Sequence, residues 1–176
     1  MDNRIVYSQE YIIDAFFALL RVNKYDQISI SDITKKAGVS RMTFYRLFKE
    51  KKDIIMAYFD RATKKYMSIQ SFIINSAAYE NYRLAAYHAF QMFYEEGKNV
   101  RALYDNDLIY LYLEVLNEGM KESFIQANID SKKKYLIFSG ALFNYSIEWM
   151  KSGFEMSYKE AGDDFLNQLL GIGKAE

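Results

Sequence analysis

The sequence predicts an all-α fold, and three observations carry that prediction. Proline is absent and glycine occurs only eight times in 176 residues; both weaken helix interiors, so their scarcity suits helices joined by brief turns. Apolar residues return at spacings of three and four in segment after segment, as one buried helix face requires. Near the amino terminus, serines stand where helices need a cap and a glycine stands where a short helix must stop.

Each element follows from its own residues. After Ser8, the segment QEYIIDAFFALLRVN sets Ile12, Ala15, Phe16, Leu19 and Leu20 on one stripe, which predicts the first helix. In SISDITKKAG, Ser29 and Asp32 have the spacing of a capping-box variant, so the second helix begins near Ile30. Gly38 ends it, having no Cβ to clash in a left-handed cap. Ser40 caps the next helix, RMTFYRLF, whose Phe44 and Phe48 share a face one turn apart. The periodicity restarts at Ile54 or Ile55 and runs on through Tyr58 and Ala62, predicting a connecting helix of roughly twenty residues. Beyond Asn75, helices are expected at about 79–96, 99–104, 106–127, 131–151 and 157–170. The chain then divides into an amino-terminal domain, 1–52, with the connecting helix starting near Lys51, and a larger helical domain, 53–176.

Composition narrows the function. Formal net charge is zero, yet residues 1–52 hold ten Lys/Arg against six Asp/Glu (+4), and residues 53–176 hold thirteen against seventeen (−4). Positive potential is therefore concentrated in the amino-terminal third. No cysteine occurs and His88 is the single histidine, which excludes a disulfide and a thiolate or multi-histidine metal site within the chain. His88 reads as a core or boundary side chain, and Glu95/Glu96 and Asp105/Asp107 read as solvated helix ends. No nucleophile, base and orienting group assemble, so neither an enzyme nor a cofactor is expected. The start MDNRIVYSQE lacks the order of a signal peptide and no apolar run approaches the roughly 18 residues of a span, so a cytoplasmic protein with no membrane partner is expected.

Two short helices, a glycine-containing turn and a supporting first helix make a helix-turn-helix, whose third helix enters the DNA major groove. At its start Arg41 matches the O6 and N7 acceptors of guanine, Met42 the thymine methyl, and Thr43 a base edge or phosphate. Tyr45, Arg46 and Lys51 suit phosphates, which give affinity and register. Ser31, early in the second helix, reaches the backbone or an adjacent base. Phe44, Leu47 and Phe48 hold the third helix against the first two, and Glu50 and Asp53 serve as local caps.

These residues resemble the amino-terminal signature of the TetR family of bacterial transcriptional regulators. Ile33, Thr34, Ala37, Gly38, Val39, Ser40, Thr43, Phe44, Tyr45, Phe48 and Lys51 stand in that family's order, and the resemblance covers roughly residues 9–56. It implies base or groove contacts from Ser31, Arg41, Met42 and Thr43, and backbone contacts from Tyr45, Arg46 and Lys51. It also implies a helical carboxy-terminal domain whose last two long helices make a homodimer and which often carries a small-molecule pocket. Two positions depart from the pattern: Met42 replaces a small residue or proline, and Thr34 replaces alanine.

In the second domain, Leu142, Ile147, Met150, Phe165, Leu166, Leu169 and Leu170 supply apolar stripes for a four-helix interface across a two-fold axis. The aromatic residues Tyr66, Phe90, Phe93, Tyr94, Tyr104, Tyr110, Tyr112, Phe124 and Phe143 either line an apolar cavity or fill a core, and close packing favours the core. No pocket residue is assigned. The expected function is that of a sequence-specific transcriptional regulator, a repressor rather than an activator, binding double-stranded palindromic operator DNA as a homodimer. A small-molecule or protein effector acts on its second domain. The alternative is a helical protein-interaction or apolar-ligand-binding module with little or no DNA binding.

Overall fold

A computed structural model of the chain describes residues 3–73, 79–126 and 133–171, and no strand occurs among them. The side chains of Tyr66, Phe124 and Leu170 lie outside the described ones. The helices are α1 (Asn3–Leu20), α2 (Ile30–Ala37), α3 (Arg41–Leu47), α4 (Lys51–Ile73), α5 (Tyr79–Glu95), α6 (Gly97–Tyr104), α7 (Tyr110–Gln126), α8 (Lys134–Lys151) and α9 (Tyr158–Leu170), with a 3₁₀ turn at Tyr25–Gln27 between α1 and α2. Helix α1 starts well before the expected Gln9, since no breaker precedes that residue. Helix α7 starts four residues after the expected 106. There Asp107 takes a left-handed backbone (φ 57°), while the Asn106 amide donates to Ala102 O at 2.8 Å and Leu108 N–H donates to Leu103 O at 2.9 Å. Short polar side chains tolerate that conformation and compete with the helical ladder.

Two compact units divide the described chain. The first runs through Arg61 and takes in Lys98–Leu111; the second holds Ala62–Gly97 and the chain from Tyr112 onward. Residues 98–111, which the sequence gives no reason to separate from the second domain, side with the first through specific bonds. Arg21 Nη1 donates to Asn99 Oδ1 at 2.7 Å, Lys24 Nζ to the carbonyl of Asp105 at 2.9 Å, and Tyr25 N–H to Asn106 Oδ1 at 2.8 Å. Val100 and Leu103 of the same stretch are buried.

The core of the first unit gathers the predicted stripe of α1 with the aromatic residues of α3 and α4. Ile12, Phe16, Leu20, Ile33, Phe44, Phe48, Ile54 and Tyr58 are all buried. Phe17 meets Tyr58 at a centroid distance of 4.2 Å, and Phe16 and Phe17 pack edge to face at 5.3 Å. Burying side chains of this size contributes about 1.5–3 kcal/mol each, far more than the propensity of helices as short as α2 and α3.

In the second unit, Phe90 of α5 is the hub. Its ring meets Tyr145 and Trp149 of α8 at 5.5 and 5.4 Å and Phe165 of α9 at 5.7 Å. Trp149 Nε1–H donates to the carbonyl of Met156, which ties down the turn between α8 and α9. Arg83 and Tyr87 of α5 both donate to the Asp163 carboxylate of α9, at 2.8 and 2.7 Å. Of the side chains expected at a subunit interface, Leu142, Ile147, Met150, Phe165 and Leu166 are buried inside the single chain, and Leu169 is half-buried. A periodic apolar stripe marks a buried face without saying what buries it, and here the chain's own helices do. The apolar residues that α8 does expose are Leu136 and Ile137, 40% and 67% exposed.

Candidate nucleic-acid interface

The helix-turn-helix is built by short-range hydrogen bonds that the sequence spells out. Ser29 caps α2: its Oγ accepts from Asp32 N–H at 3.1 Å, and the Asp32 carboxylate accepts from Ser29 N–H at 3.0 Å. The Ser29 hydroxyl also donates to the Asp32 carboxylate, and this bond first, then the one from Ser29 N–H, holds the carboxyl below its ordinary pKa. The departure at Thr34 is accommodated without loss, because its buried hydroxyl donates to the carbonyl of Ser31. Gly38 ends α2 in the left-handed region (φ 68°, ψ 29°), as its position demands.

Ser40 then starts α3, accepting from Thr43 N–H at 3.0 Å; the two hydroxyls lie 2.9 Å apart. Phe44 and Phe48 turn inward with centroids 5.8 Å apart, and Leu47 is half-buried, so these anchor the helix. Opposite them Arg41, Met42, Tyr45 and Arg46 are exposed, Met42 by 83%. Thr43 is half-buried, its hydroxyl shared with Ser40. Ser31 is exposed in the first turn of α2.

Lys51 differs from the other cations. At the start of α4 it is half-buried, its ammonium donates to the carbonyls of Tyr25 and Ile28, and it lies over the Tyr25 ring. Asp53 caps α4, accepting from the N–H groups of Lys49 and Glu50 at 2.7 and 3.1 Å. A groove of about 430 Å³ beside the end of α3 is lined by Gln9, Tyr45, Arg46, Phe48, Lys49, Asp53 and Ala57, among others. Sequence reasoning passed over Lys35, Lys36 and Lys49, all exposed around α2 and α3. The signal lies in KK, which directly precedes the AGVS turn, although basic residues in a last helical turn also suit the helix dipole.

Elsewhere among the described residues, no three His, Asp or Glu side chains converge as a metal site, and no helix is long and apolar enough to cross a membrane. His88 is half-buried on α5.

The sequence profile of the bacterial regulatory proteins of the tetR family matches residues 12–58, a span that begins in α1, contains the whole helix-turn-helix and ends in α4. Over that segment the chain matches the amino-terminal domain of the TetR family. The HTH-type transcriptional activator of the dhaKLM operon, DhaS of Lactococcus lactis subsp. lactis (strain IL1403), is 36% identical over 55 residues, which spans 31% of this chain and 29% of that protein. This chain thus matches less than a third of that relative's length. Among solved structures, the fatty acid degradation regulator FadR from Bacillus halodurans superposes with a TM-score of 0.64 at 21% identity, covering 93% of this chain and 95% of that one. FadR from Bacillus subtilis, in complex with stearoyl-CoA, gives 0.59 at 21% identity over 91% and 96%. At such identities the likeness is one of fold alone, and it covers more than nine-tenths of the chain.

Proposed function

We propose that this TetR-family regulator binds a palindromic DNA duplex as a homodimer, with α3 in the major groove of each half-site. The outward face of α3 carries this reading: Arg41, Met42, Tyr45 and Arg46 are exposed while Phe44 and Phe48 are fully anchored. Arg41, Met42 and Thr43 face base edges, with Ser31 at the flank. Tyr45, Arg46, Lys35, Lys36 and Lys49 contact phosphates. A two-fold dimer sets its two recognition helices about one helical turn apart, ~34–36 Å.

The dimer surface in this reading is the outer face of α8. Leu136 and Ile137 are its exposed apolar residues, and a Cβ on the neighbouring Gly140 would meet nothing within 4 Å in the single chain. An effector acts through the second unit, whose core of Phe90, Phe93, Tyr112, Leu116 and Met120 favours an apolar molecule over a polar one. Occupying promoter DNA blocks a polymerase more simply than it recruits one, so repression is the expected sign. The deciding experiment is selection from a random duplex pool, followed by a salt titration on the recovered sequence. A palindromic consensus and a steep fall of affinity with salt support the reading; binding without sequence preference and without salt dependence overturns it.

A further inference from the structure

Lys51 stands where the resemblance implies a backbone contact, yet its ammonium is committed within the protein. Nζ donates to Tyr25 O at 2.7 Å and Ile28 O at 2.8 Å and lies 4.1 Å from the centroid of the Tyr25 ring. An ammonium has three protons, and two of them are used here. The two carbonyls belong to the first residue of the 3₁₀ turn and to the residue that follows the turn, and the second stands just before Ser29, the cap of α2. The other side of the same turn is held by Asn106, which accepts from Tyr25 N–H at 2.8 Å. A phosphate would have to draw Lys51 off two charge-assisted bonds and an aromatic face, each favourable in a half-buried setting. Burial lowers the Lys51 pKa despite the opposing pull of Asp26, as expected for an ammonium turned inward.

We propose that Lys51 is a positioning residue: it locks the turn Tyr25–Ile28 to the start of α4, thereby fixing where α2 begins and how α3 is presented, and it does not neutralise a phosphate. The inference rests on the DNA-binding reading above and assigns Lys51 a different task within it. Loss of the lock misplaces the reading face, so discrimination between sequences falls while the number of phosphates neutralised stays the same.

The test compares Lys51→Met, Lys51→Arg and Lys49→Met on the duplex selected by the wild-type protein and on a scrambled duplex, at a temperature well below every variant's melting point. Lys51→Met is expected to weaken binding to the selected duplex on the order of tenfold, the scale of one charge-assisted bond. It should affect the scrambled duplex less and leave the slope of log K against log salt unchanged. Lys51→Arg restores discrimination, since a guanidinium can reach both carbonyls and stack on Tyr25. Lys49→Met lowers the slope by about 0.9 per protomer, the signature of a lost phosphate contact. A Lys51→Met slope that falls by the same amount, with equal losses on both duplexes, overturns the proposal. Melting of Lys51→Met, Tyr25→Leu and the double variant gives a readout without DNA. A double variant melting no lower than the worse single supports the lock, and strictly additive losses refute it. If the wild-type protein shows no salt-dependent binding at all, the DNA reading fails, and the melting cycle alone judges the lock.

Discussion

Gly162 of α9 rests directly against Tyr87 of α5: a Cβ on Gly162 would stand 2.7 Å from Tyr87 Cδ1 and 3.3 Å from its backbone nitrogen. The ring cannot simply swing aside, because its hydroxyl is bonded to Asp163 and Arg83. Gly162→Ala should therefore destabilise the protein by about 1–3 kcal/mol, the cost of overpacking. Urea unfolding measures it, and an unchanged midpoint would show that α5 and α9 separate easily.

The turn of the helix-turn-helix depends on Gly38 at φ 68°. No neighbouring atom crowds it, so the penalty of a side chain there is purely conformational. Gly38→Ala should cost about 1–2 kcal/mol, and Gly38→Asn less, since asparagine tolerates the left-handed region. Thermal melting of the two variants should rank them in that order; equal losses would point to a steric cause instead.

Acid should loosen the α5–α9 junction. Burial raises the Asp163 carboxyl, but the hydrogen bonds from Arg83 and Tyr87 outweigh it and leave the pKa below its ordinary value of 3.8. Because the folded value lies below the unfolded one, this stabilisation is complete above about pH 4 and fades as pH falls through the depressed folded value. Asp163→Asn should lower stability at pH 7 and flatten its fall between about pH 5 and pH 2. A variant whose stability tracks the wild type across that range would remove Asp163 as a contributor.

Arg41 heads the exposed face of α3. Arg41→Ala should relax preference at one base position by about 1–3 kcal/mol while sparing the others. Repeating the duplex selection with the variant reads this directly. A uniform loss on all sequences would make Arg41 a phosphate contact.

Substitution on α8 separates a subunit interface from a core. Ile137→Glu places a charge on an exposed position and should dissociate the proposed dimer with little change in helix content. Leu142→Ala cuts into a side chain 1% exposed and should instead cost about 2–5 kcal/mol of folding stability. Sedimentation and circular dichroism distinguish the two; a monomer produced only by Leu142→Ala would place the interface elsewhere.

Much of this was legible before any coordinates, and the reason is locality. Ser29, Asp32, Gly38 and Ser40 act within three or four residues of themselves, so their pattern locates α2, the turn and α3 almost to the residue. The same locality made Phe44 and Phe48 readable as anchors. What distant chain segments decide was hidden. Nothing near Lys51 in sequence announces the carbonyls of Tyr25 and Ile28, 26 and 23 residues away. Periodicity alone could not tell Leu142 and Phe165, enclosed by their own chain, from residues awaiting a second copy. Nor could it detach residues 98–111 from the second domain, since their bonds to Arg21, Lys24 and Tyr25 cross about eighty residues.

The grip of Asp105 and Asn106 on Lys24 and Tyr25 bears on how this protein can be cut and spliced. A fragment ending at Arg61 would leave the 3₁₀ turn without the bonds from Asp105 and Asn106. A chimera meant to carry this helix-turn-helix unit into another protein should therefore transplant two pieces together, residues 1–61 and Lys98–Leu111. For the same reason, inserting residues between Tyr104 and Tyr110 should be tolerated poorly for a surface loop, because that short stretch serves as a clasp for a helix pair far upstream.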